Sequence, residues 1–368
     1  MRPKKQFLFP LRGQKGSLLV VSLWMISILT ILSISIGYHV RQKISLADRI
    51  DRRNWLYGLA EGGVYKSLYR IREEKEADSG YHTLNDSHTS GEGVFLNMPL
   101  GGGAYTVSYE NRDLANGTVK VLYGVEDEEG KININVVDAK IISQLFKVAA
   151  GTDEDLAGEI AYSIVDWRDS DNSLSHPDYG AEDDYYEDLD TPYGCKDHLF
   201  ESLDELLLVR GVTPELFEKI KPYVTIYGGG TVNVNTAPKL VLRGLGMDES
   251  LADKIIEYRA GPDGEEGTTD DGVFMQAANI AYNLDRQKGI SSSDQSIISQ
   301  LTSTDRLGIL SNNFRIKSRG EVRQKQQTLE LDVVVDWDGK ILSWFSGMPR
   351  RMTPFELDSI DRKANSRG

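Results

Sequence analysis

Residues Leu18 to Gly37 form an almost unbroken apolar run without an ionisable side chain, preceded by a Lys/Arg-rich leader from Met1 to Lys15 and by the small pair Gly16-Ser17. At a rise of ~1.5 Å per residue, a helix of that length spans the ~30 Å hydrocarbon core of a bilayer. A secretory signal places small residues after its apolar region. Here Gly16 comes before it and no A-x-A-like site follows, so the helix is expected to persist in the mature chain. Beyond Gly37 an apolar stripe continues at three-to-five-residue spacing through Val40, Ile44, Ala47, Ile50, Trp55, Leu59 and Val64 as far as Ile71. The spacing predicts one element over 17–75 that begins as a membrane helix and ends as an amphipathic one.

Charge and cysteine content narrow the classes. The 368-residue chain carries a formal net charge of −14, which argues against nucleic acid or anionic lipid as partner of its body. Its single cysteine, Cys195, excludes an internal disulfide and, with His198, supplies at most half a metal site. The five histidines form no HExxH pair, and no G-x-S-x-G, Walker A or dinucleotide fingerprint occurs, so no enzyme activity is expected. Basic residues flank the apolar run on both sides (Arg2, Lys4, Lys5, Arg12 and Lys15 before it; Arg41, Lys43, Arg49, Arg52 and Arg53 after it), so charge alone does not orient it.

A polar stretch runs from Glu73 to Glu92. The pattern then changes period: Ala104 to Tyr109 alternates as a half-buried strand, Val119 to Val125 reads as its partner, and a second strand group covers 313–322, 328–337 and 341–345. Between them lies helical sequence, which suggests one antiparallel sheet interrupted by an inserted helical domain. Ile132-Asn133-Ile134-Asn135 returns as Val232-Asn233-Val234-Asn235, and helix-turn-helix phrases run from Leu203 through Gly211 to Ile220 and from Pro238 through Gly244-Leu245-Gly246 to Tyr258. The insert therefore reads as a repeat of two helical units. Acidic residues offset the basic ones around both turns, so the phrases read as packing devices; contact with DNA phosphates through them is the alternative.

Two loops carry clustered oxygens. Asp166-Trp167-Arg168-Asp169-Ser170-Asp171, followed by Gly180-Ala181-Glu182-Asp183-Asp184-Tyr185, offers Asp169, Asp171, Ser173, Glu182 and Asp183 as ligands for calcium or, without metal, a solvated acidic loop. Leu174 and Gly180 stand where an EF-hand needs Gly and Glu, which excludes that motif. Gly261 to Gly272 offers Asp263, Asp270 and Asp271, glycines allowing the tight turning that convergence requires; the metal-free alternative is a Gly-rich acidic hairpin.

The leader ending in Gly16, the apolar helix, the D-W-x-D-x-D and G-A-E-D-x-Y phrases and the hairpin phrases together resemble the minor pseudopilin K family of type II secretion over nearly the full length. The resemblance implies an α+β pseudopilin fold, a long N-terminal transmembrane helix on an antiparallel sheet, with an inserted α-helical domain of two SAM-like, helix-hairpin-helix units. It implies the division 1–16 leader peptide, 17–75 N-terminal helix, 93–137 first part of the sheet, 138–230 and 231–310 helical units, 311–347 C-terminal strands and 348–368 a disordered tail. Prepilin peptidase would cut after Gly16, leaving Ser17 as a first residue open to methylation. Related pseudopilins carry Glu at the fifth mature position to pair with a neighbour's amine; here that position is Val21, as expected at a fibre tip where no neighbour lies beyond. The implied role is a minor pseudopilin capping the periplasmic pseudopilus and helping to initiate it, in the inner membrane by one span with its bulk in the periplasm. Implied partners are minor pseudopilins I and J, other pseudopilins of the fibre, and the secretin or secreted substrates; calcium is the implied cofactor, and its second loop resembles the calcium loop of major pseudopilins. The alternative is a tip or minor pilin of a type IV pilus or competence machine that contacts DNA.

Overall fold

A computed structural model describes residues 17–77, 80–86, 88–89, 91–113, 118–322 and 326–351. The chain forms two units, Met1–Trp55 and Leu56–Gly368, with the boundary inside helix α1, Ser17–Ala77. In the first unit the apolar side chains from Leu18 to Ile36 are exposed, and the helix is long and apolar enough to cross a membrane once. The expected leader, including Gly16, lies outside the described residues.

In the second unit the last third of α1 turns Leu56, Leu59, Ala60, Val64 and Ile71 to one side, and all are buried. They cover an antiparallel sheet built, after the short helix α2 (Glu92–Phe95), from β1 (Met98–Leu100), β2 (Gly103–Val107) and three later strands. The strand order is β1-β2-β10-β11-β12, where β10 is Asn313–Val322, β11 Gln327–Asp336 and β12 Ile341–Ser346. Two short strands, β5 (Glu126–Asp127) and β13 (Arg350–Arg351), add to β10 and β11 respectively.

Helix and sheet approach at glycines. A Cβ on Gly320 of β10 would lie 2.2 Å from the carbonyl oxygen of Leu56 and 2.7 Å from the amide nitrogen of Ala60; one on Gly63 would lie 2.2 Å from the Ser318 Oγ. The Ser318 hydroxyl donates to the Ala60 carbonyl at 2.6 Å, so a side-chain hydrogen bond spans the gap that the glycines leave.

The structure corrects three expectations. Ala104 to Tyr109 is not one strand paired with Val119 to Val125. It breaks at Ser108, so that β2 joins the main sheet while β3 (Tyr109–Asp113) forms a separate hairpin with β4 (Thr118–Leu122). The cause is at Ser108 and Gly124: the Ser108 amide donates to Lys317 and the Gly124 amide to Val107, and Gly124 has φ 152°, which turns the returning chain away from a simple ladder. Second, β6 (Ile132–Asn133) belongs to the helical insert, not to the sheet, because its partner is β7 (Val224–Thr225) in parallel. Third, the tail expected to be disordered from 348 begins with a strand, Arg350 and Arg351 opposite Thr328 and Gln327; residues 352–368 lie outside the described residues.

The insert is a structural repeat. Its first unit runs from β6 through α3 (Ala139–Leu145), α4 (Glu154–Arg168), α5 (Asp183–Glu187) and α6 (Pro214–Ile220) to β7. The second runs from β8 (Val232–Asn233) through α7 (Lys239–Gly244), α8 (Glu249–Arg259), α9 (Ile280–Lys288) and α10 (Ser292–Ser303) to β9 (Leu307–Gly308), again a parallel partner of the first strand. In each unit the first Asn of the N-x-N phrase accepts from the amide of the second, Asn135 at 2.9 Å and Asn235 at 3.0 Å. The second Asn then clasps one Phe backbone from both sides: Asn135 with Phe200, Asn235 with Phe274. These side-chain amides are buried, or half-buried in the case of Asn135, and their hydrogen-bonding capacity is met inside the fold. The turn after the first helix also repeats, with Gly151 at φ 75° two residues before the N-cap Asp153 and Gly246 at φ 98° two residues before the N-cap Asp248. The two helix-turn-helix phrases singled out in the sequence fall in non-equivalent places, since α7–α8 corresponds to α3–α4 and not to the segment ending in α6.

Asp127 ties the sheet to the second helical unit. Its carboxylate accepts from the hydroxyls of Ser311 at 2.6 Å and Thr236 at 2.5 Å and from the Asn233 amide at 3.1 Å.

The polar stretch before the sheet contributes an interior. His82 and His88 are buried with Phe314 and Trp337, ring centroids 4.3 Å apart for His82–Trp337 and 4.9 Å for His88–Phe314. The Ser311 amide donates to His82 Nδ1, and His88 has no hydrogen-bond partner among the described residues. Burial holds both rings neutral, pushing His82 down to about 4 and His88 down to about 3. Because the unfolded chain takes up these protons at about pH 6.5 and the folded chain does not, stability falls as pH drops from 6.5 towards 4. We expect His88→Phe to flatten this loss by about 2 kcal/mol between pH 7 and 4.5, measured by denaturant unfolding of both proteins at each pH. The carboxyls that burial raises, Asp86 to about 6 and Glu129 to about 8, act with the opposite sign and are common to both proteins. Equal slopes for the two would refute the assignment.

Candidate functional site

The second helix of each repeat ends in an arginine that is spent on the backbone. Arg168 donates to the carbonyls of Ile134 and Val137, Arg259 to those of Val234 and Ala237, so each closes the N-x-N turn of its own unit. The acidic loops leave the fold immediately after these arginines, at equivalent places in the two units.

In the first loop, Asp166 is the organiser and not a ligand. It is fully buried and accepts from the amides of Ser175 at 2.9 Å and Ala181 at 3.0 Å, folding the loop back onto α4. Gly180 is at φ 105°, and a Cβ there would lie 2.1 Å from an Asp166 oxygen, so this closure requires glycine. Trp167 is buried edge-on against Tyr186, centroids 5.1 Å apart. The closure brings Asp169, Asp171 and Glu182 together, one carboxylate oxygen from each lying within 4.8 Å of the others. Glu182 is 6% exposed, and neither of its oxygens has a hydrogen-bond partner among the described residues; Asp169 Oδ1 is likewise unpartnered. Burial first, then the charges of Asp166 and Asp169, push the Glu182 carboxyl up to about 7.

Two of the five residues expected as ligands in this loop fall elsewhere. Asp183 accepts from the Cys195 amide at 2.7 Å, and Ser173 is exposed outside the cluster. One contributor was not foreseen: Asp197, at φ 51°, joins Glu182 and Cys195 in a second group of the same dimensions. The sequence signal for it was slight, an acid two residues from the lone cysteine. Burial pushes the Cys195 thiol up to about 12, so it offers no thiolate, and the cluster's chemistry is that of carboxylate oxygen.

The second loop satisfies itself. Asp270 accepts from the Thr268 hydroxyl at 2.6 Å and the Asp263 amide at 3.2 Å, Asp271 from the Gly267 amide at 2.7 Å, and Asp263 from the Glu265 amide at 2.8 Å. The Thr268 hydroxyl bond lowers the Asp270 carboxyl below the usual range. Outward bonds then fix the loop to the rest of the unit: Lys120 to Glu265 at 3.1 Å, Asn85 to the Thr268 carbonyl at 2.7 Å, and Arg259 to Glu266 at 2.5 Å. Asp263, Asp270 and Asp271 are drawn together, but around their own amides.

Of the residues expected to govern processing and fibre position, Gly16 lies outside the described residues and Ser17 is the first residue of α1. Val21 is exposed on its first turns, among Leu18, Leu19 and Trp24.

Residues 121–229, which contain the first unit and its loop, match the family model "Type II secretion system (T2SS), protein K". Type II secretion system protein K of Aeromonas hydrophila is 27% identical over 234 residues, 61% of this chain and 68% of that protein. The protein of the same name from Pectobacterium carotovorum subsp. carotovorum is 28% identical over 146 residues, 38% of this chain and 42% of that one. Among solved structures, a chain of the GspK–GspI–GspJ complex from the type 2 secretion system of enterotoxigenic Escherichia coli superimposes with a TM-score of 0.59 at 17% identity, covering 83% of this chain and 99% of that one.

Proposed function

We infer that the chain, whose residues 121–229 match the protein K family of type II secretion systems, is a minor pseudopilin of the pseudopilus, anchored to a membrane by one helix. The family match carries this reading, because it falls on the first repeat unit and includes the Asp166-to-Tyr185 phrases. Minor pseudopilins I and J are its partners, as in the complex that shares its fold. The body of the protein lies in the periplasm, prepilin peptidase removes the leader after Gly16, and the chain caps the fibre. Val21 supports the tip position: an apolar residue there needs no counter-charge from a subunit stacked beyond it.

Calcium is the metal the first loop suits. Asp169, Asp171 and Glu182 would hold it, with Asp197 beside them, and hard carboxylate oxygens without a basic partner in the group favour a hard divalent cation. The bound ion supplies the positive charge that the buried, unpartnered Glu182 lacks. The second loop carries less of this case, since its aspartates already accept from their own amides.

Co-expression of the full chain with pseudopilins I and J, extraction in detergent and size-exclusion chromatography test the assembly. One peak containing all three is expected. Elution of the chain alone, with salt-sensitive retention of DNA, would replace the reading by the competence alternative.

A further inference from the structure

A trough of about 870 Å³ runs between the two repeat units, walled on one side by α3 and α4 and on the other by the α7–α8 turn and α10. It continues into a neighbouring hollow of about 490 Å³ that shares Lys140, Tyr162 and Arg306 with it. We propose that this trough binds an extended acidic peptide segment of a partner protein.

In a chain of net charge −14, three cations line this one trough, Lys140, Lys147 and Arg306. Lys140 and Arg306 form no ion pair among the described residues, whereas Lys147 is held by Glu154 at 2.8 Å. The other acid at the rim, Asp138, is occupied as an N-cap, accepting from the Ile141 amide at 3.0 Å. Nearby, the Arg168 guanidinium faces the second hollow and donates to neutral carbonyls, adding a further positive charge beside Asp138 and Asp169.

Tyr162, His176 and Tyr179 cluster, His176 stacked on Tyr179 with centroids 4.9 Å apart and tilted against Tyr162 at 4.5 Å. Ring edges, which are the positive part of the quadrupole, suit carboxylate and carbonyl oxygens. Ser143, Gln144, Gln300 and Thr304 along both walls offer the alternating donors and acceptors that a peptide backbone uses.

The test is fluorescence anisotropy of the full chain in detergent with a fluorescein-labelled decapeptide of alternating Glu and Tyr. A Lys/Tyr decapeptide and an N-acetylmuramic acid oligosaccharide serve as comparators. Saturable, salt-weakened binding of the acidic peptide is expected even though the chain as a whole repels it. Lys140→Glu with Arg306→Glu should weaken that binding about tenfold or more, while Lys340→Glu on the distant β11–β12 turn leaves it unchanged. Unaltered circular dichroism melting establishes that the variant is folded; should it melt early, Lys140→Met with Arg306→Met, which removes charge without reversing it, replaces it. No saturable binding, binding indifferent to both variants, or preference for the glycan or the basic peptide would each overturn the proposal.

Discussion

Gly320→Val should detach the helix from the sheet and lower the unfolding free energy of the body by about 4 kcal/mol or more, read as a fall in the denaturant midpoint. Valine is otherwise a favoured strand residue, so β propensity predicts a small gain. Sterics decide the other way, because the new Cβ meets the Leu56 carbonyl at 2.2 Å and the Ala60 amide at 2.7 Å, and backbone cannot step aside as a flexible side chain can. Moving α1 outward also breaks the Ser318 bond to Ala60 and uncovers Leu59 and Val64. Gly58→Ala is the control within the same helix. Nothing lies within 4 Å of its Cβ position, so alanine should stabilise by about 0.5–1 kcal/mol through helix propensity. Equal midpoints for Gly320→Val and the parent protein would show that the contact between α1 and β10 is not as described.

Calcium should raise the melting midpoint of the parent protein, and Glu182→Gln should abolish that rise. A ligand that binds only the folded state contributes about 2.7 kcal/mol at a hundred times its dissociation constant. Three carboxylates gathered this closely repel one another where they are ionised, and a cation reverses that sign. In excess chelator, therefore, Glu182→Gln should melt higher than the parent, since it removes one of the mutually repelling charges from a buried position. Asp270→Ala with Asp271→Ala should behave in the opposite manner. It deletes acceptors for the amides of Asp263, Gly267 and Thr268 and so lowers the midpoint with or without calcium, yet the calcium-dependent rise remains. A rise lost in the second variant and kept in the first would move the site to the second loop; no rise in any protein would remove calcium from both.

How much of this was legible beforehand follows from where each piece of information is stored. The long apolar helix and its amphipathic continuation are written in consecutive side chains, and periodicity along one segment suffices to read them. The repeated N-x-N phrase was equally visible, and its meaning is a local one, an amide closing the turn two residues on. The composition of the stretch from Glu73 to Glu92, by contrast, gives no hint that His82 and His88 are interior, because their neighbours Phe314 and Trp337 arrive from more than two hundred residues away.

Readable from consecutive residues alone were the long helix from Ser17, the alternation of sheet and helical insert, the duplication inside that insert and the two places where acids accumulate. These depend on periods and spacings within a segment, which survive without knowledge of the rest. It took the folded chain to show that β2 pairs with β10 and not with the next strand, that Gly63 and Gly320 set the distance between helix and sheet, and that Glu182 meets Asp169, Asp171 and Asp197 while Asp183 turns away to the Cys195 amide. Alternation along a strand says which face is buried but not which strand lies beside it. Convergence of carboxylates separated by a long loop is set by the path of the chain, here the closure of Asp166 onto the amides of Ser175 and Ala181 over a glycine that leaves the room.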